Sequence, residues 1–130
     1  MNLSKKITGI ILAAGSSLRM GKTKQLMPFR GNTLLGHVIQ NARASSLNEV
    51  IVVIGHNADK ISKTIDLSDT KVVRNFDYSK GQSTSLIKGL ENASTECNAA
   101  MFLLADQPLI TPDIINTLIE AFEESNAPIT

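Results

Sequence analysis

Four short, mostly apolar and β-branched runs, Thr8–Leu12, Val50–Ile54, Lys71–Arg74 and Ala100–Leu104, punctuate this chain. They are apolar on successive residues instead of alternating, the pattern of strands covered on both faces. Segments with helical spacing lie between and after them. Leu34, Leu35, Val38, Ile39 and Ala42 form one face after a capping Thr33, and Ala58, Ile61 and Ile65 follow Asn57. Leu86, Ile87 and Leu90 follow Gly81, and Ile114, Ile115, Leu118, Ile119 and Phe122 follow the Thr111-Pro112 cap and first-turn pair. Alternating strand and helix predicts an α/β fold: a three-layer α/β/α, Rossmann-like sandwich around a mainly parallel sheet. Right-handed crossovers then bring every strand-to-helix loop to one edge, where such sheets bind ligands.

A length of 130 residues suits one domain, 1–130, with no internal repeat, low-complexity tract or linker. The Ala127-Pro128-Ile129-Thr130 end reads as the approach to a further strand, so the expectation is the N-terminal portion of an incomplete domain. Net charge is +1, which provides no basic field for nucleic acid or an anionic membrane. The first apolar run is short, and the glycine- and charge-rich segment behind it does not resemble a cleavage site, so a cytoplasmic protein is expected. A lone Cys97 excludes an internal disulfide, and His37 and His56 stand apart without zinc-ligand spacing.

The most informative stretch is Leu12-Ala13-Ala14-Gly15-Ser16-Ser17-Leu18-Arg19-Met20-Gly21-Lys22-Thr23-Lys24, directly after the first run. Small residues there let backbone N–H groups approach phosphate oxygens; Arg19 adds a planar fork and Lys24 a mobile point charge. A Walker A loop has four residues between its glycine and Gly-Lys-Thr, whereas Gly15 and Gly21 enclose five; GxGxxG is absent as well. A plain strand-to-helix turn would not call for two cations around the glycines. Lys22 reads as solvated charge.

Asp106, just past the fourth run in Leu104-Ala105-Asp106-Gln107-Pro108, should emerge at the binding edge. A carboxylate there, opposite a phosphate loop, is a natural oxygen ligand for Mg²⁺, with Pro108 stopping the strand. Gly81 to Ser85 should open the third helix at the same edge, where hydroxyls and N-terminal amides can meet sugar or phosphate oxygens or simply cap the helix. Asn75 and Asp77 read as turn formers and His56 as a surface loop residue.

The glycine loop resembles LAAGxSxRMGxxK, the signature of nucleotidyltransferases similar to the molybdenum cofactor cytidylyl- and guanylyltransferases, at every defined position. Asn75-Phe76-Asp77-Tyr78-Ser79-Lys80-Gly81-Gln82-Ser83-Thr84-Ser85-Leu86 resembles that family's second motif, Leu104 to Pro108 its acidic motif, and Val53-Ile54-Gly55-His56 its second strand end. The resemblance spans almost the whole chain and is closest to the cytidylyl branch, which tends to carry Ala-Ala-Gly as Ala13-Ala14-Gly15 does. It implies transfer of CMP from CTP to the terminal phosphate of the molybdopterin cofactor with loss of pyrophosphate, and transient contact with the molybdoenzyme that receives the product.

The catalytic residues expected on this reading are Lys24, Arg19 and Asp106. Leu12, Ala13, Ala14, Gly15, Ser16, Arg19, Lys24, Gly81, Ser83 and Ser85 would bind the nucleotide, and Asp106 the metal. A terminal phosphate is already ionised at neutral pH and needs no general base, consistent with the absence of a Ser-His-Asp set, a Cys-His pair or a carboxylate pair. Three readings stay open beside it: a GTP-using guanylyltransferase, another sugar- or alcohol-phosphate nucleotidyltransferase, and a nucleotide-binding module without catalysis. Sugar-phosphate enzymes often carry Pro-Lys where this chain has Thr23-Lys24-Gln25.

Overall fold

The computed structural model describes residues 6–15, 18–19, 22–23, 26–56 and 58–125, with the backbone alone at 18, 19, 22, 23 and 125. Four parallel strands form the main sheet: β1 (Ile7–Ala13), β6 (Glu49–Ile54), β7 (Lys71–Arg74) and β8 (Ala99–Leu104), in the order β7-β6-β1-β8. Gly9 pairs with Val50 on one side and Met101 on the other, and Leu12 with Val53 and Leu104. Each predicted run thus becomes a strand, extended by a residue or so at its ends.

Between β1 and β6 lie two small antiparallel ladders. β2 (Leu18–Arg19) pairs with β3 (Lys22–Thr23), which folds part of the glycine loop back on itself. β4 (Pro28–Phe29) pairs with β5 (Asn32–Thr33) across a turn whose residues Arg30 and Gly31 both have positive φ, the backbone twist that two-residue hairpins favour. Neither ladder has an alternating run long enough to be read from sequence.

The helices are α1 (Leu34–Ala44), α2 (Ala58–Thr64), α3 (Gln82–Glu91) and α4 (Pro112–Ser125), with a 3-10 turn at Tyr78–Lys80. Side chains alternate across a strand, so β1 feeds two cores. Ile7, Ile11 and Ala13 pack with Leu35, Val38 and Ile39 of α1, Ile61 of α2, and Ile115 and Ile119 of α4. Ile10, Leu12 and Ala14 face the other way, with Ile51, Val53 and Val73, beneath Leu86 of α3. The result is the three-layer sandwich expected, with α1, α2 and α4 below the sheet and α3 above it.

Helical spacing misjudged which side chains of α3 meet the sheet. Ile87 and Leu90 are 55% and 50% exposed, while Ser85 and Gly89 are buried. A Cβ at Gly89 would stand 2.5 Å from Ile10 Cγ2, so the helix seats on its smallest residues and its large ones lie on the flank. In α4, likewise, Ile115 and Ile119 are buried and Ile114 and Leu118 are exposed.

The two ends of the sheet differ. β7 reads Lys-Val-Val-Arg, with charges of the kind that protect an edge strand. β8 reads Ala-Ala-Met-Phe-Leu-Leu, carries no charge, and leaves Phe102 and Leu104 40% and 36% exposed. No helix among the described residues is long and apolar enough to cross a membrane.

Candidate functional site

The C-terminal ends of β1, β6, β7 and β8 define one edge, and the loops that leave them are bonded to one another. β1 runs into Ala13 and Ala14, which are 0% and 1% exposed, and then into exposed Gly15. The Ala14 carbonyl accepts from the His56 N–H at 3.1 Å, and the Leu12 carbonyl from the Ala105 N–H at 3.3 Å. The start of the glycine loop is therefore tied on one side to the loop after β6 and on the other to the turn that carries Asp106. Ala13 packs into the core on one side of the sheet and Ala14 into the core on the other.

Asp106 is half-buried in the turn after β8, and the Pro108 carbonyl beyond it accepts from Asn41 Nδ2 at 2.9 Å, which fixes that turn against α1. No three His, Cys, Asp or Glu side chains converge on a common point among the described residues. Asp106 would offer a cation one carboxylate from among the described residues. That arrangement suits Mg²⁺ with a nucleotide, which uses one or two carboxylates plus substrate phosphates instead of an all-protein cage.

The third arm is the loop from β7 to α3. Gly81 has φ +119°, a conformation open to glycine at little cost, and it caps α3 without a side-chain bond. Ser83 is exposed beside it. Ser85, in contrast, is only 4% exposed, and its hydroxyl accepts from Asn75 Nδ2 at 2.9 Å, so it serves the helix seat. Asn75, read from sequence as a turn former, is wholly buried. The signal that could have found it is its position between a strand and a helix rich in hydroxyls, a place where a buried amide has partners.

Next to this arm an open cavity of about 380 Å³ lies at the ends of β6 and β7, lined by Gly55, Asp59, Lys60, Arg74, Phe76 and Tyr78. Phe76 is 77% exposed, and the Arg74 guanidinium lies 5.2 Å from its ring centre while bonding Asp59 at 3.2 Å. His56, expected at the surface, is half-buried, with its ring edge-on to Tyr78 at 5.8 Å.

The structure thus brings Leu12, Ala13, Ala14, Gly15, Gly81, Ser83 and Asp106 to one edge of the sheet. The Arg19 backbone belongs to β2, and its side chain lies outside the described atoms, as do Ser16 and Lys24 entirely.

The chain has clear counterparts among known proteins. The chain is 32% identical over 114 residues to nicotine blue oxidoreductase of Paenarthrobacter nicotinovorans, a match covering 87% of this chain and 55% of that protein. The fold superposes on Rv0371c from Mycobacterium tuberculosis with a TM-score of 0.84 at 30% identity, covering 93% of this chain and 62% of the other. A further structure of Rv0371c is a complex with manganese. A nucleotidyl transferase from Methanothermobacter thermautotroptrophicus superposes with a TM-score of 0.80 at 26% identity, over 88% of this chain and 57% of that one. The chain thus spans a little over half the length of these proteins. Residues 9–130 match the MobA-like NTP transferase domain, and the chain belongs to that family.

Proposed function

We propose that this chain is the nucleotide-holding part of a Mg²⁺-dependent nucleotidyltransferase that moves CMP from CTP to the terminal phosphate of a molybdopterin cofactor. The observation that carries this reading is the convergence of Gly15, Asp106 and the Gly81 arm on one sheet edge, bonded through Ala14, Leu12 and the β6 end. Backbone amides of Gly15 and Ser16 would cradle phosphate oxygens, and the short side chains of Ala13 and Ala14 leave room for the base. An acceptor phosphate oxygen attacks the α-phosphorus of CTP, the bond to the bridging oxygen breaks, and pyrophosphate leaves. Lys24 would neutralise charge building on the α-phosphate, and Arg19 would hold the departing phosphates. A divalent cation held at Asp106 supplies neutralisation of the triphosphate charge. That Rv0371c forms a complex with manganese supports a divalent cation for this chain. The Ala13-Ala14-Gly15 sequence supports CTP over GTP.

Titration of CTP and GTP with and without Mg²⁺, in the protein and in Asp106→Ala, tests the reading. Mg²⁺-dependent binding of CTP over GTP, lost in the variant, is expected. A preference for GTP would move the assignment to guanylyl transfer. Absence of binding to either nucleotide would overturn it.

A further inference from the structure

Asn75 is one of three buried polar residues in the described chain, with Thr8 and Ser85, and it is 0% exposed directly after the charged edge strand β7. A buried carboxamide is costly unless its donors and acceptor are matched. Here they are. Nδ2 donates to Thr84 Oγ1 at 2.9 Å and to Ser85 Oγ at 2.9 Å, and Oδ1 accepts from the Asp77 N–H at 2.9 Å. Its own N–H donates to the Ile54 carbonyl at 2.7 Å. One residue thereby joins the end of β6, the loop entering the 3-10 turn, and the first turn of α3.

Two neighbouring features give that junction a direction. A Cβ at Gly55 would stand 2.8 Å from the Asn75 carbonyl and 2.9 Å from Tyr78 Cβ, so the glycine lets the loop lie flat against the strand end. Thr84 turns back on the loop, its Oγ1 donating toward the Gly81 carbonyl at 2.7 Å and the Asp77 carbonyl at 3.1 Å. Gly81 contributes no side-chain cap, so the start of α3 is held to the loop by Thr84 and Ser85, and both of those side chains bond Asn75.

We infer that Asn75 is the positioning residue for the nucleotide site: it acts through Thr84 and Ser85 to set the first-turn amides of α3 and Gly81 against the edge that Gly15 and Asp106 share. This rests on the nucleotidyltransferase reading for what the arc holds. A residue that served only helix packing would be exchangeable with any change that leaves α3 seated on Gly89 and Leu86. A positioning residue loosens the arc while the sheet beneath stays closed.

The test pairs Asn75→Leu, which removes all three side-chain bonds, with Thr84→Val, a near-isosteric change on a partly exposed residue that leaves the core intact. Amide hydrogen exchange and CTP affinity are measured at low temperature. Exchange of the Ser83 to Leu86 amides should accelerate about tenfold or more, with β6 amides unchanged and CTP affinity falling several-fold, the smaller effect in Thr84→Val. Equal acceleration in α3 and β6, or a loosened α3 with CTP affinity unchanged, would overturn the inference. If Asn75→Leu fails to fold, Thr84→Val decides on the same criteria. If the unaltered protein binds no nucleotide, the functional reading fails, and the exchange pattern still decides whether Asn75 sets the arc.

Discussion

Gly89→Ala separates helix propensity from packing, because the two predict opposite signs. Alanine in place of a helix-interior glycine stabilises by about 1 kcal/mol if nothing is touched. At Gly89 the added methyl would stand 2.5 Å from Ile10 Cγ2, 3.3 Å from Ile10 Cδ1 and 3.4 Å from Val53 Cγ2. Ile10 and Val53 are both 0% exposed in the middle of adjacent strands, so neither can swing away into solvent. Overpacking of this kind costs about 1–3 kcal/mol. With both contacts locked the upper part of that range applies, and the net result is destabilisation by about 1–2 kcal/mol, or several degrees in Tm for a domain of this size. Urea and thermal denaturation of the single variant and of the same change in an Ile10→Ala background measure it. Removing the Ile10 side chain beyond Cβ should turn Gly89→Ala neutral or stabilising relative to its new parent, a coupling a mutant cycle isolates. A Gly89→Ala protein more stable than its parent would refute the seating of α3 on Gly89.

Two further predictions concern the surface. The uncharged β8, with Phe102 and Leu104 exposed, is the kind of edge that associates, so sedimentation of this 130-residue chain should show concentration-dependent self-association that Leu104→Lys suppresses. A monomer at all concentrations would refute it. The Asp66 carboxyl is held below the ordinary carboxylate range by the Ser68 hydroxyl, then the Ser68 N–H, with Arg43 a smaller contributor. Its stabilising effect is complete above that range and is lost as pH falls through it toward the lower folded value, so Asp66→Asn should lower stability in the neutral region, flatten the acid decline and leave the most acidic end of a urea-denaturation profile least altered.

The repeated apolar runs and the capped helical segments were enough to establish the class of fold, because strand and helix periodicity are local properties and the two central runs, β1 and β6, bury both faces. The Thr33 cap illustrates this: its side chain accepts from the Gly36 N–H at 2.9 Å, as the sequence alone implied. The positions of Gly15, Asp106 and Gly81 at one edge also followed from sequence, since parallel strands with right-handed crossovers send all their outgoing loops the same way. What only the tertiary structure decided was which side chains do the joining. Large apolar residues announce burial, so Ile87, Leu90, Ile114 and Leu118 looked like core, yet close approaches are made by Gly89 and Gly55, whose value lies in atoms they lack. Asn75 looked like a turn residue because its partners, Thr84 and Ser85, are contributed by another element and become neighbours only when α3 is laid across the sheet. Local periodicity fixes the elements; close approach and the pairing of buried polar groups depend on how those elements meet in space.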